Sequence, residues 1–409
     1  MHHYRIPRTS RRTVLSQIGI ACGLMTAGCT GGTRLPAVPR DAQMHADPPG
    51  MAGMRYSSIE ETSELVEEGL AALRREEQAL RTAGHRGRLP PASYLAVSGG
   101  GEDGAFGAGL LVGWTAHGDR PEFKLVTGVS TGALIAPFAF LGPGYDAKLK
   151  SVYTEIDSRD IAEERWLGAA LLDDAVADSA PLRRLVRHML DTGITREIAA
   201  EYQQGRLLMI GTTNLDGRRG VIWNLGKIAA SGHPRANRLI EDVLVASASI
   251  PGLFPPVMID VEANGQRYQE MHVDGGVSAQ VFAYPPTFQL GREAGSMGAL
   301  RERHLYIIRN GRFDPEWEQV ERRTLSIAGR SVSAMIQNQG VGDTYRIYAT
   351  AQRDKVDYNL AFIPPTTRPA PKEPFDRRYM NELFDLGYRL GRNGYPWSKT
   401  PPGLGRARS

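Results

Sequence analysis

The tightest constraint in this chain is a strand pattern that runs through five residues spaced G-x-S-x-G directly into a helix pattern. The segment "FKLVTGVS" reads as a strand, "TGALIAPFAFLG" as the helix it feeds, and Gly128-Val129-Ser130-Thr131-Gly132 forms the junction. A serine at such a junction stands on a tight turn with its hydroxyl pushed into the open above a sheet. Glycines at Gly128 and Gly132 fit because backbone meets backbone there and a Cβ would collide. The helix start after Ser130 adds partial positive charge where an alkoxide or an oxyanion forms.

A second strand-to-helix junction precedes it. "YLAVS" at 94–98 runs into "SGGGEDGAFGAG" at 98–109, with six glycines in twelve positions. Gly99-x-Gly101-x-x-Gly104 has the spacing of a dinucleotide-binding loop, which calls for an acidic residue about 20 positions on, closing a second strand to hold a ribose. Glu122 falls near that distance but precedes the strand, and the strand ends in the serine junction instead. The loop is better explained as amide N–H groups at Gly99, Gly100 and Gly101 aimed at the oxyanion of an acyl transfer, with Gly104 supporting the turn.

The rest of the chain fits an α/β domain with a largely parallel sheet. Further strands are expected in "RLLMIGTTNL", "QEMHVDGG" and "RHLYIIRN", and helices around 181–203, 235–249 and 316–338. Residues 56–88 read as an amphipathic helix with a stripe of Ile59, Val66, Leu70, Leu73 and Leu80, a possible cap at Ser57 or Ser58, and packing against its own domain. Residues 29–55, rich in Pro, Gly and small polar residues, read as a flexible tether. The catalytic domain is placed at 89–365, and 366–409 holds a last helix and a tail.

Residues 1–28 read as an export signal, basic and then mildly apolar. "SRRTVL" resembles a twin-arginine signal, and "TAGC" at 26–29 resembles a bacterial lipobox, with Thr26 where Leu is usual. That resemblance implies a lipidated Cys29, a membrane anchor, and a periplasmic or outer-membrane location. Cys22 would leave with the signal, so no internal disulfide and no cysteine zinc site is expected. The net charge of +4 is carried by Arg5, Arg8, Arg11 and Arg12, since the remaining chain balances 45 basic residues against 45 acidic ones. A nucleic-acid partner is therefore not expected.

Ser130 needs a base. Of the histidines, His188, His233, His272 and His304 follow it, and none has a setting that marks it as catalytic, though a Ser-His-Asp esterase stays open as an alternative. "VDGG" at 273–276 ends a strand, so the Asp274 carboxylate would project from the same edge of a parallel sheet where Ser130 stands. Gly275 and Gly276 make the turn after it. His272, two residues earlier on the same face, is read as packing. "RWLGAALL" at 165–172 reads as core, and Leu253 and Phe254 could shape an acyl pocket.

Taken in order, "SGGGEDGAFGAG", "GVSTG", "ASASIPGLFPPV" and "VDGG" resemble the patatin-like phospholipase family over roughly residues 89–310. The resemblance implies a three-layer fold with a mainly parallel central sheet flanked by helices. It implies a lipid acyl hydrolase with Ser130 as nucleophile, Asp274 as its base, the Gly99–Gly101 run as oxyanion hole, and neither metal nor cofactor. One departure is Asp103, where the family's loop carries Arg or Lys. Anionic phospholipids are therefore expected to be poorer substrates than neutral esters. A non-catalytic lipid-binding lipoprotein on the same fold is the alternative of another class.

Overall fold

The structure is a computed structural model that describes residues 34–56, 63–156, 163–164, 177–290, 301–315, 317, 319–367 and 371–404. The export signal, Cys22, Cys29, the cap serines and "RWLGAALL" lie outside them.

The strands are β1 (Arg55–Tyr56), β2 (Ala92–Val97), β3 (Phe123–Val129), β4 (Glu163–Glu164), β5 (Ala177–Asp178), β6 (Leu207–Asn214), β7 (Arg219–Asn224), β8 (Val257–Ala263), β9 (Gln266–Asp274), β10 (Arg303–Arg309) and β11 (Asp357–Phe362). The helices are α1 (Ser63–Thr82), α2 (Gly104–His117), α3 (Thr131–Leu141), α4 (Asp146–Thr154), α5 (Ala180–Met189), α6 (Thr192–Gln203), α7 (Leu225–Ala230), α8 (Ala236–Ser247), α9 (Thr324–Asp354) and α10 (Arg377–Arg392). Among the described residues, nine strands form one sheet in the order β1-β7-β6-β3-β2-β10-β11, with β9 also on β6 and β8 on β9. The five strands β6, β3, β2, β10 and β11 run parallel, and the others are antiparallel.

Side chains alternate between two cores, as a period of two requires. Leu95, Val97 and Val126 face the larger core under α2, α3, α8 and α10, whereas Tyr94, Ala96 and Leu125 face the core under α1 and α9. Both faces of the sheet are covered, and the result is a three-layer α/β architecture with a mainly parallel central sheet. No helix among the described residues is long and apolar enough to cross a membrane.

Three expectations change. The tether expected at 29–55 is packed chain from Arg34 onward. Val38, Ala42, Ala46 and Met51 are buried, Arg34 pairs with Asp216 at 2.7 Å, and β1 adds to the sheet edge. The C-terminal segment is not an appendage either. α10 lies against α2 so closely that a Cβ on Gly109 would run into the Phe384 carbonyl, and one on Gly387 into the Phe106 carbonyl. Gly109, from the glycine-rich stretch 98–109, thus serves helix packing. The helix expected at 316–338 is the longer α9, whose Ile347 and Ala351 pack on the sheet.

Helix α1 docks on its own domain as expected, but its most buried positions include Glu68 and Glu76, not only the apolar stripe. Each is paired: Glu76 receives both Arg301 Nη atoms at 2.8 Å, and Glu68 accepts from Arg75 at 2.8 Å. Buried carboxylates persist where such partners satisfy them.

Candidate active site

Ser130 sits in the left-handed region, φ 55° and ψ −127°, between β3 and α3, and is 4% exposed. A non-glycine residue holds such a conformation only where its surroundings over-determine it. Here the Ser130 N–H donates to Ser247 Oγ at 2.9 Å, and Ser247 Oγ donates to the Gly211 carbonyl at 2.6 Å. A Cβ on Gly128 would run into the Gly132 carbonyl, and one on Gly132 into the Val97 carbonyl. The turn closes only with glycine at both places.

Asp274 arrives by register. β3 pairs with β6 as far as Val129 opposite Gly211, and β9 takes over the same edge of β6 with Asp274 opposite Thr212. The strand carrying Asp274 is therefore antiparallel and meets the end of β3 head-on, which corrects the expectation of a carboxylate on a parallel-sheet edge. The Ser130 side chain stands near enough to the Asp274 carboxylate to pull its pKa down. Asp274 Oδ1 also accepts the Gly276 N–H at 2.7 Å, while the Asp274 N–H donates to the Ser249 carbonyl at 2.9 Å. Burial raises the carboxyl pKa to about 6, against the opposing pull of the hydrogen bonds from Ser130 and Gly276. A Cβ on Gly275 would strike the Gly211 carbonyl, so this turn too requires glycine.

Of the three loop amides, one is already committed within the protein. Gly99 N–H is committed to the Gln280 carbonyl at 3.0 Å and is no free oxyanion donor. The N–H groups of Gly100 and Gly101 have no protein acceptor among the described residues. Gly100, at φ 154°, lies so close to Asn310 that a Cβ would strike the Asn310 carbonyl. Asn310 frames the loop: its N–H donates to Ser98 Oγ at 2.8 Å, its Nδ2 to the Ser98 carbonyl at 2.9 Å, and its Oδ1 accepts from Gly107 N–H at 3.1 Å. Gly104 is a packing glycine against Thr131 and Tyr153.

Four residues absent from the sequence reading thus hold the site: Ser247, Ser249, Gln280 and Asn310. The two serines stand in the block "ASASIPGLFPPV", whose repeated Ser was the signal available. Nothing local marks the other two.

A narrow pocket is lined by Ser130 together with Gly101 and Thr131. Its walls are mostly apolar, among them Leu134, Ile156, Leu182, Phe254, Phe375 and Met380. Phe254 lines it directly, and Leu253 packs behind Phe254. The acidic residue among the lining is Glu102, whose pKa burial raises to about 7, against the opposing pull of the Phe375 N–H it accepts. Asp103 accepts a hydrogen bond from the Tyr379 hydroxyl at 2.6 Å.

No histidine lines this pocket among the described residues. His272 is fully buried, with its Nε2 3.0 Å from Glu270 and its Nδ1 3.0 Å from Thr212 Oγ1. Thr212 Oγ1 already accepts the Trp223 indole N–H at 2.8 Å, so its own hydroxyl proton goes to Nδ1, and Nε2–H goes to Glu270. Burial lowers the His272 pKa, and Arg55 on the other side helps hold Glu270 at about 2. Both ring nitrogens are spent. His304 pairs with Asp357 at 3.1 Å beside β11, His233 Nδ1 accepts the Arg235 N–H at 3.2 Å, and His188 is exposed on α5. Among the described residues no cluster of His, Cys, Asp and Glu is placed to hold a metal ion.

Residues 95–286 match the family model of patatin-like phospholipases. Among solved structures, VipD from Legionella pneumophila is similar with a TM-score of 0.31 and 13% identity, over 74% of this chain and 67% of that one. Human GIVD cytosolic phospholipase A2 is similar with a TM-score of 0.34 and 11% identity, over 83% of this chain and 63% of that one. This chain thus spans less than two thirds of the human enzyme's length. Neither likeness is close enough to carry residues across. No curated protein matches the chain.

Proposed function

We propose that the chain is a serine acyl hydrolase that cleaves fatty-acyl ester bonds of lipids through a Ser130–Asp274 dyad. The observation that carries this reading is the buried Asp274 carboxylate brought by strand register beside a serine that is held on a strained turn and lines an apolar pocket. The match of residues 95–286 to patatin-like phospholipases supports the substrate class.

Asp274 takes the Ser130 proton as Oγ attacks the ester carbonyl, and the oxyanion is received by the N–H groups of Gly100 and Gly101. The proton passes from Asp274 to the departing alcohol oxygen, leaving an acyl group on Oγ. A water molecule then gives its proton to Asp274 as it attacks the acyl carbon, and Ser130 recovers that proton as the fatty acid leaves. An ordinary aspartate, pKa about 3.9, is a weak base for a hydroxyl, and a carboxyl raised to about 6 is better matched. The proposal extends to export and anchoring through a lipidated Cys29, which rests on the sequence of the first 29 residues.

Hydrolysis of a short-chain p-nitrophenyl ester by the protein lacking residues 1–29 tests the reading, beside Ser130→Ala and Asp274→Asn and with fluorophosphonate labelling of each. Activity and labelling in the parent are expected, with turnover lost in both variants and labelling dependent on Ser130. A folded parent that neither labels nor turns over supports the binding-protein alternative instead.

A further inference from the structure

The pocket at Ser130 is not closed by the segment that matches the family model. Two of its wall residues lie beyond residue 286: Phe375, just before the C-terminal helix, and Met380, in its first turn. Their arrangement follows from how α10 begins. Asp376 is the N-cap, its Oδ1 accepting the N–H of Arg378 at 2.9 Å and of Tyr379 at 3.3 Å. Phe375 is then the residue before the cap and Met380 the fourth helical residue, the two positions that pack together as a hydrophobic staple. In most helices this staple fixes the entry of the chain; here both residues face the pocket of the candidate nucleophile.

Phe375 does not sit there by default. Its φ is 58°, a region a bulky residue adopts only when held. Three contacts hold it. Its N–H donates to Glu102 Oε2, on the loop that carries the oxyanion donors. Lys372 N–H closes the turn on Asp376 Oδ2 at 3.1 Å. The ring packs against Phe254. Glu102 thus couples the glycine loop to the wall of the pocket.

We propose that Phe375 and Met380, held in place by the Glu102 carboxylate, determine which acyl chains reach Ser130. Phe375 is a specificity residue and Glu102 its positioning residue; neither takes part in bond making. The inference rests on the acyl-hydrolase reading above and adds the part of the molecule that selects the chain.

The test is the kcat/KM profile of the protein on p-nitrophenyl esters from acetate to palmitate, for the parent, Phe375→Ala, Phe375→Trp, Glu102→Ala and Glu102→Gln. Phe375→Ala should move the optimum to longer chains and change the laurate-to-butyrate ratio by about tenfold or more, the scale on which hydrophobic pockets discriminate methylenes. Phe375→Trp should move it towards shorter chains. Glu102→Ala should follow Phe375→Ala, and Glu102→Gln, which keeps an acceptor for the Phe375 N–H, should restore the parent profile. Labelling of each variant by a small fluorophosphonate reports whether Ser130 is still formed, and where Phe375→Ala does not label, Phe375→Trp carries the test. A parent that neither labels nor turns over removes the functional reading and the inference with it. A parent that does both, with Phe375 variants sharing its chain-length profile, overturns the inference alone.

Discussion

Val129 and Asp274 occupy one edge of β6 in succession, the first opposite Gly211 and the second opposite Thr212. β3 and β9 end against each other there, and the residue after Val129 is Ser130. Ser130 and Asp274 come together because two strands of opposite direction share an edge end to end. Ser247 and Ser249, from the end of α8 and the turn after it, then fix the backbone N–H of Ser130 and of Asp274.

The first consequence concerns pH. Asp274 acts as a base only when ionised, and its pKa lies at about 6. On a short neutral ester kcat/KM should be level around neutrality and fall about tenfold per unit well below pH 6. A profile that stays flat down to pH 4.5 removes Asp274 from the proton-accepting role.

The same shift has a cost in stability. A carboxyl whose folded pKa is raised binds its proton more tightly in the native state than in the unfolded one. The stabilisation is fully present below the unfolded value, 3.8, and is lost as pH rises through 6. At pH 8 the buried charge costs roughly 3 kcal/mol, two units at 1.36 each. Asp274→Asn should therefore be inactive and yet melt at higher temperature than the parent at pH 8, with the gap closing towards pH 4. An Asn variant that is less stable at both pH values speaks against a buried charge at this position.

The oxyanion assignment separates Gly100 from Gly101. Alanine at Gly100 meets the Asn310 carbonyl and must displace the loop, whereas alanine at Gly101 meets nothing within 4 Å. Gly101 has φ 57°, so alanine there costs only about 1–2 kcal/mol of backbone strain. Gly100→Ala should lose about 100-fold or more in kcat, the cost of one misplaced donor. Gly101→Ala should lose less. Equal activities in Gly100→Ala and the parent place the oxyanion elsewhere.

How much of this was legible depends on the range of the contact. Ser130 was readable because its signal is local: strand, turn glycines and helix lie within a few residues. Asp274 was readable only through the order of motif blocks, since its contact with Ser130 is made by register across β6. Gly99 reads as a donor in sequence because nothing near it announces the Gln280 carbonyl that occupies its N–H. Residues 34–56 have the composition of a tether, but Val38, Ala42, Ala46 and Met51 are buried by elements distant in sequence and show no period. Two antiparallel pairings carry local signals. Asn264-Gly265, at φ 51° and 75°, turns β8 into β9, and Asp216-Gly217 lies in the loop between β6 and β7. Both dipeptides favour hairpin turns.

A histidine mechanism makes the opposite prediction from the dyad at two residues. His272 is bound to Glu270 and Thr212 in a buried network with Arg55 and Trp223. Removing it should cost about 3 kcal/mol or more of stability, because this leaves a cavity and takes from Glu270 and from the Thr212 hydroxyl a partner in a dry site. Turnover per folded molecule should remain. His304→Ala, on a partly exposed pair, should alter neither. A loss of turnover above 100-fold at unchanged melting temperature, in either variant, restores the Ser-His-Asp alternative.

The last prediction concerns the lipid head group. The glycine loop carries Glu102 and Asp103, and Glu102 lines the pocket with a pKa of about 7. Above that pH a phosphate on the substrate meets a carboxylate. Two unit charges about 10 Å apart at an effective dielectric of about 20 repel by roughly 1.5 kcal/mol, or about tenfold in rate. Phosphatidylglycerol should therefore turn over about tenfold more slowly than a neutral glyceride of the same chains at pH 8. The ratio should narrow at pH 6, where Glu102 gains its proton. Partial protonation of Asp274 slows both substrates alike at that pH and leaves the ratio to report Glu102. Glu102→Gln should give the narrower ratio at both pH values. Equal rates for the two lipids at pH 8 mean that no head-group charge comes near this loop during the reaction.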